Sequence, residues 1–131
     1  MRHITKVFIL MLALACTKKA EDYPNLIIND LKLGQGDEVG SFDTIYVHFE
    51  GRFKDGRIFD SSKARGNEPI RYSMRAKSLI EGWRLGLVGM KEGGIRRLTI
   101  PPELAFGSKG KANRIPANET LIFDVELIRT E

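Results

Sequence analysis

Apolar and polar residues alternate most clearly along Thr44-Ile45-Tyr46-Val47-His48-Phe49-Glu50. Ile45, Val47 and Phe49 fall on one face of an extended chain and Tyr46 and His48 on the other, and the β-branched and aromatic content suits a strand. A second alternation, Leu26 and Ile28 followed by Leu31 and Leu33, predicts a half-buried strand that stops at Gly34-Gln35-Gly36. Arg96-Arg97-Leu98-Thr99-Ile100 predicts a strand ended by Pro101-Pro102, and the stretch from Thr120 to Ile128 predicts a long one. Lys54-Asp55-Gly56-Arg57 carries the Asp-Gly signal of a tight hairpin that joins Gly51-Arg52-Phe53 to Ile58-Phe59-Asp60. Asp60-Ser61-Ser62 then closes that strand with side chains suited to bonding their own backbone.

One stretch has helical spacing instead. Ile80, Trp83 and Leu87, with Leu79 beside them, share a face, and Ser78 followed three residues later by Glu81 has the pattern of a capping box. A helix is predicted from Leu79 to Val88, with Gly89 as its stop. So short a helix needs a sheet on which to bury its apolar face, which puts Trp83 in the core or in the floor of a pocket. Glu103 to Glu119 shows no period and reads as a loop of about 17 residues, long enough in a small domain to suggest a functional role. Strands predominate around one short helix, so the fold class is α+β with a mainly antiparallel, strongly twisted sheet, in one domain over residues 26–131.

The N-terminus follows a different pattern. Residues 1–16 read MRHITKVFILMLALAC, a basic start, an apolar run from Val7 to Ala15 and a small-residue end, which predicts a signal peptide over residues 1–15. The run is well short of the ~20 residues that a bilayer core requires, so a permanent transmembrane helix is not expected. Cys16 is the only cysteine, which leaves no internal disulfide. Leu12-Ala13-Leu14-Ala15-Cys16 resembles a bacterial lipoprotein cleavage site, with Ala13 where that motif usually has leucine. Cys16 is therefore expected to be lipidated, residues 16–25 to act as a tether, and the protein to sit in the bacterial cell envelope, on the periplasmic side or at the outer membrane. A soluble periplasmic or secreted protein is the alternative.

Charge changes the picture little. The whole chain has 21 Lys and Arg against 17 Asp and Glu; without Arg2 and Lys6 the cations fall to 19 and the net charge to +2, with both signs intermixed. No nucleic-acid partner is expected from that balance. Lys109, Lys111 and Arg114 form the densest positive cluster, readable as a solvated loop or as a group that tunes encounters with acidic partners. Beyond Cys16 there is no cysteine and one histidine, His48, and no CxxC, HExxH, Walker-type loop or GxSxG occurs, so no metal and no cofactor are expected. Gly86, Gly89, Gly93 and Gly94 lack the spacing of a dinucleotide fingerprint, while hydrolysis by paired carboxylates stays open because spacing selects no pair. What stands out is an aromatic set, Phe49, Phe59, Trp83, Phe106 and Phe123, with Asp60 beside one member, readable as plain core or as a pocket.

The segments Val47-His48-Phe49-Glu50-Gly51, Gly56-Arg57-Ile58-Phe59-Asp60-Ser61-Ser62, Leu79-Ile80-Glu81-Gly82-Trp83, Leu98 to Gly107 and Ile115 to Leu127 together resemble the FKBP-type peptidyl-prolyl isomerases, a family also known for binding macrolides. The resemblance implies a twisted antiparallel sheet around one short helix, with an apolar proline pocket between them. It implies catalytic roles for Phe59, Asp60, Trp83, Phe106 and Phe123, and substrate contacts for Phe49, Ile70, Leu79, Ile80 and Ile115. Trp83 would be the platform under the proline ring, Ile80 would offer a backbone amide to a carbonyl, and Phe106 to Ile115 would form the outer lip. Phe49 and Phe106 stand where well-studied members have tyrosines, which implies weakened macrolide or substrate binding. The loop Arg65-Gly66-Asn67-Glu68-Pro69 is one residue longer than the common form, which leaves open whether a family role carries over to Arg65.

The implied activity is cis/trans isomerisation of X-Pro bonds in unfolded or nascent exported proteins, by desolvation and fit to a twisted amide, performed by a monomer. A noncatalytic proline-peptide-binding or chaperone module of the envelope is the alternative.

Overall fold

The computed structural model describes residues 18–131, so the expected signal peptide and Cys16 lie outside the described residues. The described residues form six strands, β1 (Ile27–Lys32), β2 (Thr44–Phe53), β3 (Ile58–Ser61), β4 (Ile70–Ser73), β5 (Ile95–Ile100) and β6 (Leu121–Thr130), with one helix, α1 (Glu81–Gly86), between β4 and β5. All pairings are antiparallel, in the order β1-β5-β6-β2-β3. β4 also pairs with β2, over Thr44 to Val47, while β3 pairs with it over Glu50 to Arg52. β6 occupies one edge of β2, so β3 and β4 follow one another along the other edge.

Between β3 and β4 the chain leaves the sheet through a 3-10 turn at Lys63–Arg65. Ser62 anchors this departure: its amide donates to the Phe49 carbonyl (2.9 Å) and its hydroxyl accepts from the Phe49 amide (3.0 Å). The hydroxyl also lies 3.0 Å from His48 Nδ1, which gives the only histidine of residues 18–131 a structural partner.

The core is the inner face of the sheet. Ile45 and Val47 of β2, Leu98 and Ile100 of β5, and Leu121, Val125 and Leu127 of β6 are buried, and α1 packs across them. Close approach of helix to sheet depends on two missing side chains. A Cβ at Gly82 would lie 2.4 Å from Ile100 Cγ2, and one at Gly86 would lie 2.7 Å from Leu98 Cδ2. The last-turn carbonyls of α1 need donors, and Arg96 of β5 supplies them, reaching the Gly86 carbonyl (2.9 Å) and the Val88 carbonyl (3.3 Å) while pairing with Asp30 of β1 (2.7 Å).

The sheet and most of its strands match the sequence reading, but three local expectations do not hold. The helix runs from Glu81 to Gly86 and not from Leu79 to Val88: Leu79 and Ile80 stay outside it, with Ile80 extended as its N-cap, and it ends at Leu87 as C-cap, before Gly89. No side chain caps it: Glu81 accepts instead from Arg84 Nε (2.9 Å), so the Ser78–Glu81 capping box does not form. Leu31 and Leu33 are 50% and 77% exposed, because β1 is an edge strand whose register shifts between Asp30 and Lys32, leaving Leu26 and Ile28 as its contribution to the core. β4 has no counterpart among the predicted strands.

Candidate functional site

Between α1, the cavity-facing side of β2 and β6, and the loop after β5 lies a cavity of about 190 Å³. Its floor is Trp83, which is 3% exposed and placed there by the first turn of α1. The walls meet the indole edge to face: Phe49 at 5.4 Å between ring centroids, Tyr72 at 5.2 Å and Phe123 at 5.3 Å. Phe59 stands against Phe123 at 5.5 Å, so the rings form a connected cage whose members fix one another's tilt. Gly51 makes this possible, since a Cβ there would lie 2.7 Å from Phe59 and 2.8 Å from Phe123. The Trp83 Nε1 hydrogen is buried without a hydrogen-bond partner, the only such buried side-chain polar atom among the described residues.

Leu79 and Ile80 close one side. They lie on the segment between β4 and α1, which Arg84 ties down from the helix: its guanidinium donates to the carbonyls of Met74, Ala76 (2.9 Å) and Leu79 (3.1 Å). The Ile80 amide, at the N-cap, makes no hydrogen bond to another described residue and so can donate to a bound carbonyl. Opposite it the loop from Phe106 to Ile115 forms the lip. Its end is a narrow turn in which the Lys111 amide donates to the Ile115 carbonyl (2.8 Å) and the Ile115 amide to the Lys111 carbonyl (2.9 Å).

The one carboxylate in the cavity wall is Asp60. It accepts two hydrogen bonds from Arg65, at 3.1 and 2.7 Å, and one from the Ser61 amide at 2.9 Å. Burial works to raise its pKa, but the Arg65 hydrogen bond and charge, the Ser61 amide and the more distant Arg114 together outweigh burial and hold the carboxyl below its ordinary range. Burial pushes the Tyr72 phenol up, so it stays neutral at physiological pH. No group of His, Cys, Asp and Glu among the described residues could hold a metal ion. The wall therefore offers apolar surface, the neutral Tyr72 phenol, one ionised carboxylate already engaged by Arg65, the cations Lys111 and Arg114, and backbone donors.

Of the ten residues expected in the site, Phe49, Phe59, Asp60, Leu79, Ile80, Trp83, Phe106, Ile115 and Phe123 line this cavity. Ile70 does not: on β4 it pairs with Val47 and packs against the core, and Tyr72, two residues on and on the same face, takes the wall position. Alternation of Ile70 and Tyr72 after Pro69 was the signal for that strand, but four residues give too short a period to read. Arg65, whose carry-over the longer loop left open, is the partner of Asp60.

A profile of the FKBP-type peptidyl-prolyl cis-trans isomerases matches residues 36–128. The "FK506-binding protein" of Neisseria meningitidis serogroup A is 44% identical over 105 residues, which is 80% of this chain and 95% of that protein. The "FK506-binding protein 4" of Chaetomium thermophilum is 44% identical over 101 residues, 77% of this chain, but the chain spans only 20% of that protein's length. The crystal structure of a peptidyl-prolyl cis-trans isomerase from Pseudomonas syringae superposes with a TM-score of 0.74 at 30% identity, covering 83% of this chain and 77% of the other.

Proposed function

For a chain that belongs to the FKBP-type peptidyl-prolyl cis-trans isomerase family, we propose that the cavity over Trp83 isomerises X-Pro bonds by desolvation and by fit to a twisted amide. The observation that carries this is the aromatic cage itself: Phe49, Tyr72 and Phe123 stand edge to face on a buried indole, leaving an apolar slot whose one carboxylate, Asp60, is already engaged by Arg65.

Amide resonance sets a barrier of roughly 18–20 kcal/mol for rotation about the C–N bond. No bond has to break. Seating the proline ring on Trp83 takes the neighbouring carbonyl out of water, and an apolar medium disfavours the charge-separated resonance form that keeps the amide planar. Walls that fit the twisted amide better than either planar isomer turn binding energy into rate. The Ile80 amide would hold a carbonyl of the substrate and so orient the segment. Asp60, engaged by Arg65, shapes the wall and carries no proton in the reaction.

The substrates proposed are unfolded or nascent exported proteins, reached by a domain tethered through a lipid on Cys16. The N-terminal pattern and the tether-like composition that follows it support this reading. Macrolides would enter the same slot, with fewer hydrogen bonds because Phe49 and Phe106 lack hydroxyls.

The test is kcat/KM on a Leu-Pro or Phe-Pro peptide between about pH 5 and 9, with the fold followed at each pH. Asp60 is held ionised and Tyr72 neutral across that window, so the profile should be flat. A bell or sigmoid in folded protein would overturn the mechanism. Binding without acceleration at any pH would leave a noncatalytic proline-binding module in its place.

A further inference from the structure

Four charged residues line the cavity: Asp60, Arg65, Lys111 and Arg114. Asp60 and Arg65 neutralise one another through their two hydrogen bonds. Lys111 and Arg114 are left over. Arg114 is 47% exposed and reaches Asp60 only at 3.9 Å, behind the closer Arg65. Lys111 holds its ammonium 5.6 Å from the centre of the Phe106 ring, at the lip, and makes no ion pair with another described residue.

The loop does not leave these two cations to wander. The paired hydrogen bonds between Lys111 and Ile115, a third from the Arg114 amide to the Lys111 carbonyl (3.0 Å), and Asn113 in a left-handed conformation (φ 60°) fix the turn that carries both. Gly110 is needed beneath it, because a Cβ there would lie 2.3 Å from the Ile115 carbonyl oxygen. Ile115, a cavity wall, belongs to the same turn, so the backbone turn that carries both cations also supplies part of the apolar slot. Two cations over a low-dielectric slot whose own carboxylate is neutralised give the mouth a positive potential.

We propose that Lys111 and Arg114 are specificity-determining residues, which select X-Pro segments carrying an acidic side chain close to the proline. This rests on the isomerase reading of the slot and adds to it a class of substrate. A carboxylate one or two residues from the ring meets the rim as the proline seats on Trp83, whereas a lysine there meets like charge. The effect belongs in KM and in the encounter rate, since neither cation touches the rotating bond.

The experiment compares Glu-Leu-Pro-Phe with Lys-Leu-Pro-Phe, and Leu-Pro-Phe-Glu with Leu-Pro-Phe-Lys, against Ala-Leu-Pro-Phe, by proline-limited kinetics and by direct binding followed through Trp83 fluorescence. In at least one arrangement the glutamate peptide should exceed its lysine counterpart by about three- to tenfold, mainly through KM, and the ratio should shrink in about 0.5 M salt. The double variant Lys111→Gln/Arg114→Gln should bring the ratio near one, and Lys111→Glu/Arg114→Glu should reverse it. Should the reversal variant fail to fold, the glutamine variant decides the point. Equal or better use of the lysine peptides in both arrangements, or a glutamate advantage that survives in the glutamine variant, would overturn the proposal. If no peptide is isomerised the enzymatic reading falls, and the binding ratios still decide the acidic preference by themselves.

Discussion

Trp83 joins three roles in one side chain: floor of the cavity, centre of the aromatic cage and a buried contact of α1 with β2 and β6. Trp83→Ala should therefore cost about 3–5 kcal/mol in chemical denaturation, as large aromatic truncations do, and reveal little about the reaction. Trp83→Leu is the sharper probe. It should keep the strand signature in circular dichroism while kcat/KM on a Leu-Pro peptide falls by about tenfold or more; full activity in a folded leucine variant would remove the indole from the mechanism. Asp60 makes a prediction of a different kind. Its folded pKa lies below its unfolded one, so it adds stability that is present above about pH 4 and fades as pH falls through the lower folded value. In Arg65→Gln that contribution should shrink. Denaturation of both proteins from pH 7 downward should show a gap of about 1 kcal/mol or less, since Arg65 is 45% exposed, and the gap should close as pH falls through the lowered folded value. A gap that widens in acid would mean that the pair is not what lowers Asp60.

At the scale of elements, the segment between β4 and α1 has little regular structure and yet supplies Leu79 and Ile80 to the cavity. What holds it is Arg84, whose planar fork reaches three of its carbonyls. Arg84→Met should keep the helix, speed hydrogen exchange of the amides from Ala76 to Ile80, and raise KM several-fold more than it changes kcat. Lysine at the same place should restore little, because a single ammonium cannot serve divergent carbonyls in the guanidinium's geometry. Unchanged exchange in Arg84→Met would show that the segment is held by packing alone. This clamp also explains where reading the sequence stopped. β2, the Asp-Gly hairpin and β6 were legible because alternation and turn chemistry are local and long enough to carry a period. The Ser78–Glu81 signal was equally local but lost to Arg84, which takes Glu81 and pins the loop, a contest no spacing rule contains. β1 misled for the opposite reason: its leucines alternate, but a register shift on an edge strand turns Leu31 and Leu33 outward. Nine cavity residues were found through motif resemblance, which also carried over Ile70, and Tyr72 was missed because the four residues of β4 are too few to show a period.

For the molecule as a whole, no helix among the described residues is long and apolar enough to cross a membrane. The lipid on Cys16 is the proposed means of attachment. Protein made in a bacterial host should show a mature mass that begins at Cys16 with acyl chains added, and should partition into detergent; an unmodified Cys16 or cleavage elsewhere would sink the idea. The order of strands carries one more consequence. β1 and β5 form one half of the sheet and β2, β3 and β4 the other, and only β6 joins them within the sheet. It is also the last of the six strands to be synthesised. A growing chain that lacks it holds two unmatched edges and half a core, so its native pairing must wait, and the many contacts distant in sequence then make folding slow relative to a helical bundle. On the exported route proposed above, that delay keeps the precursor loose enough to be threaded through a translocation channel until β6 has been made.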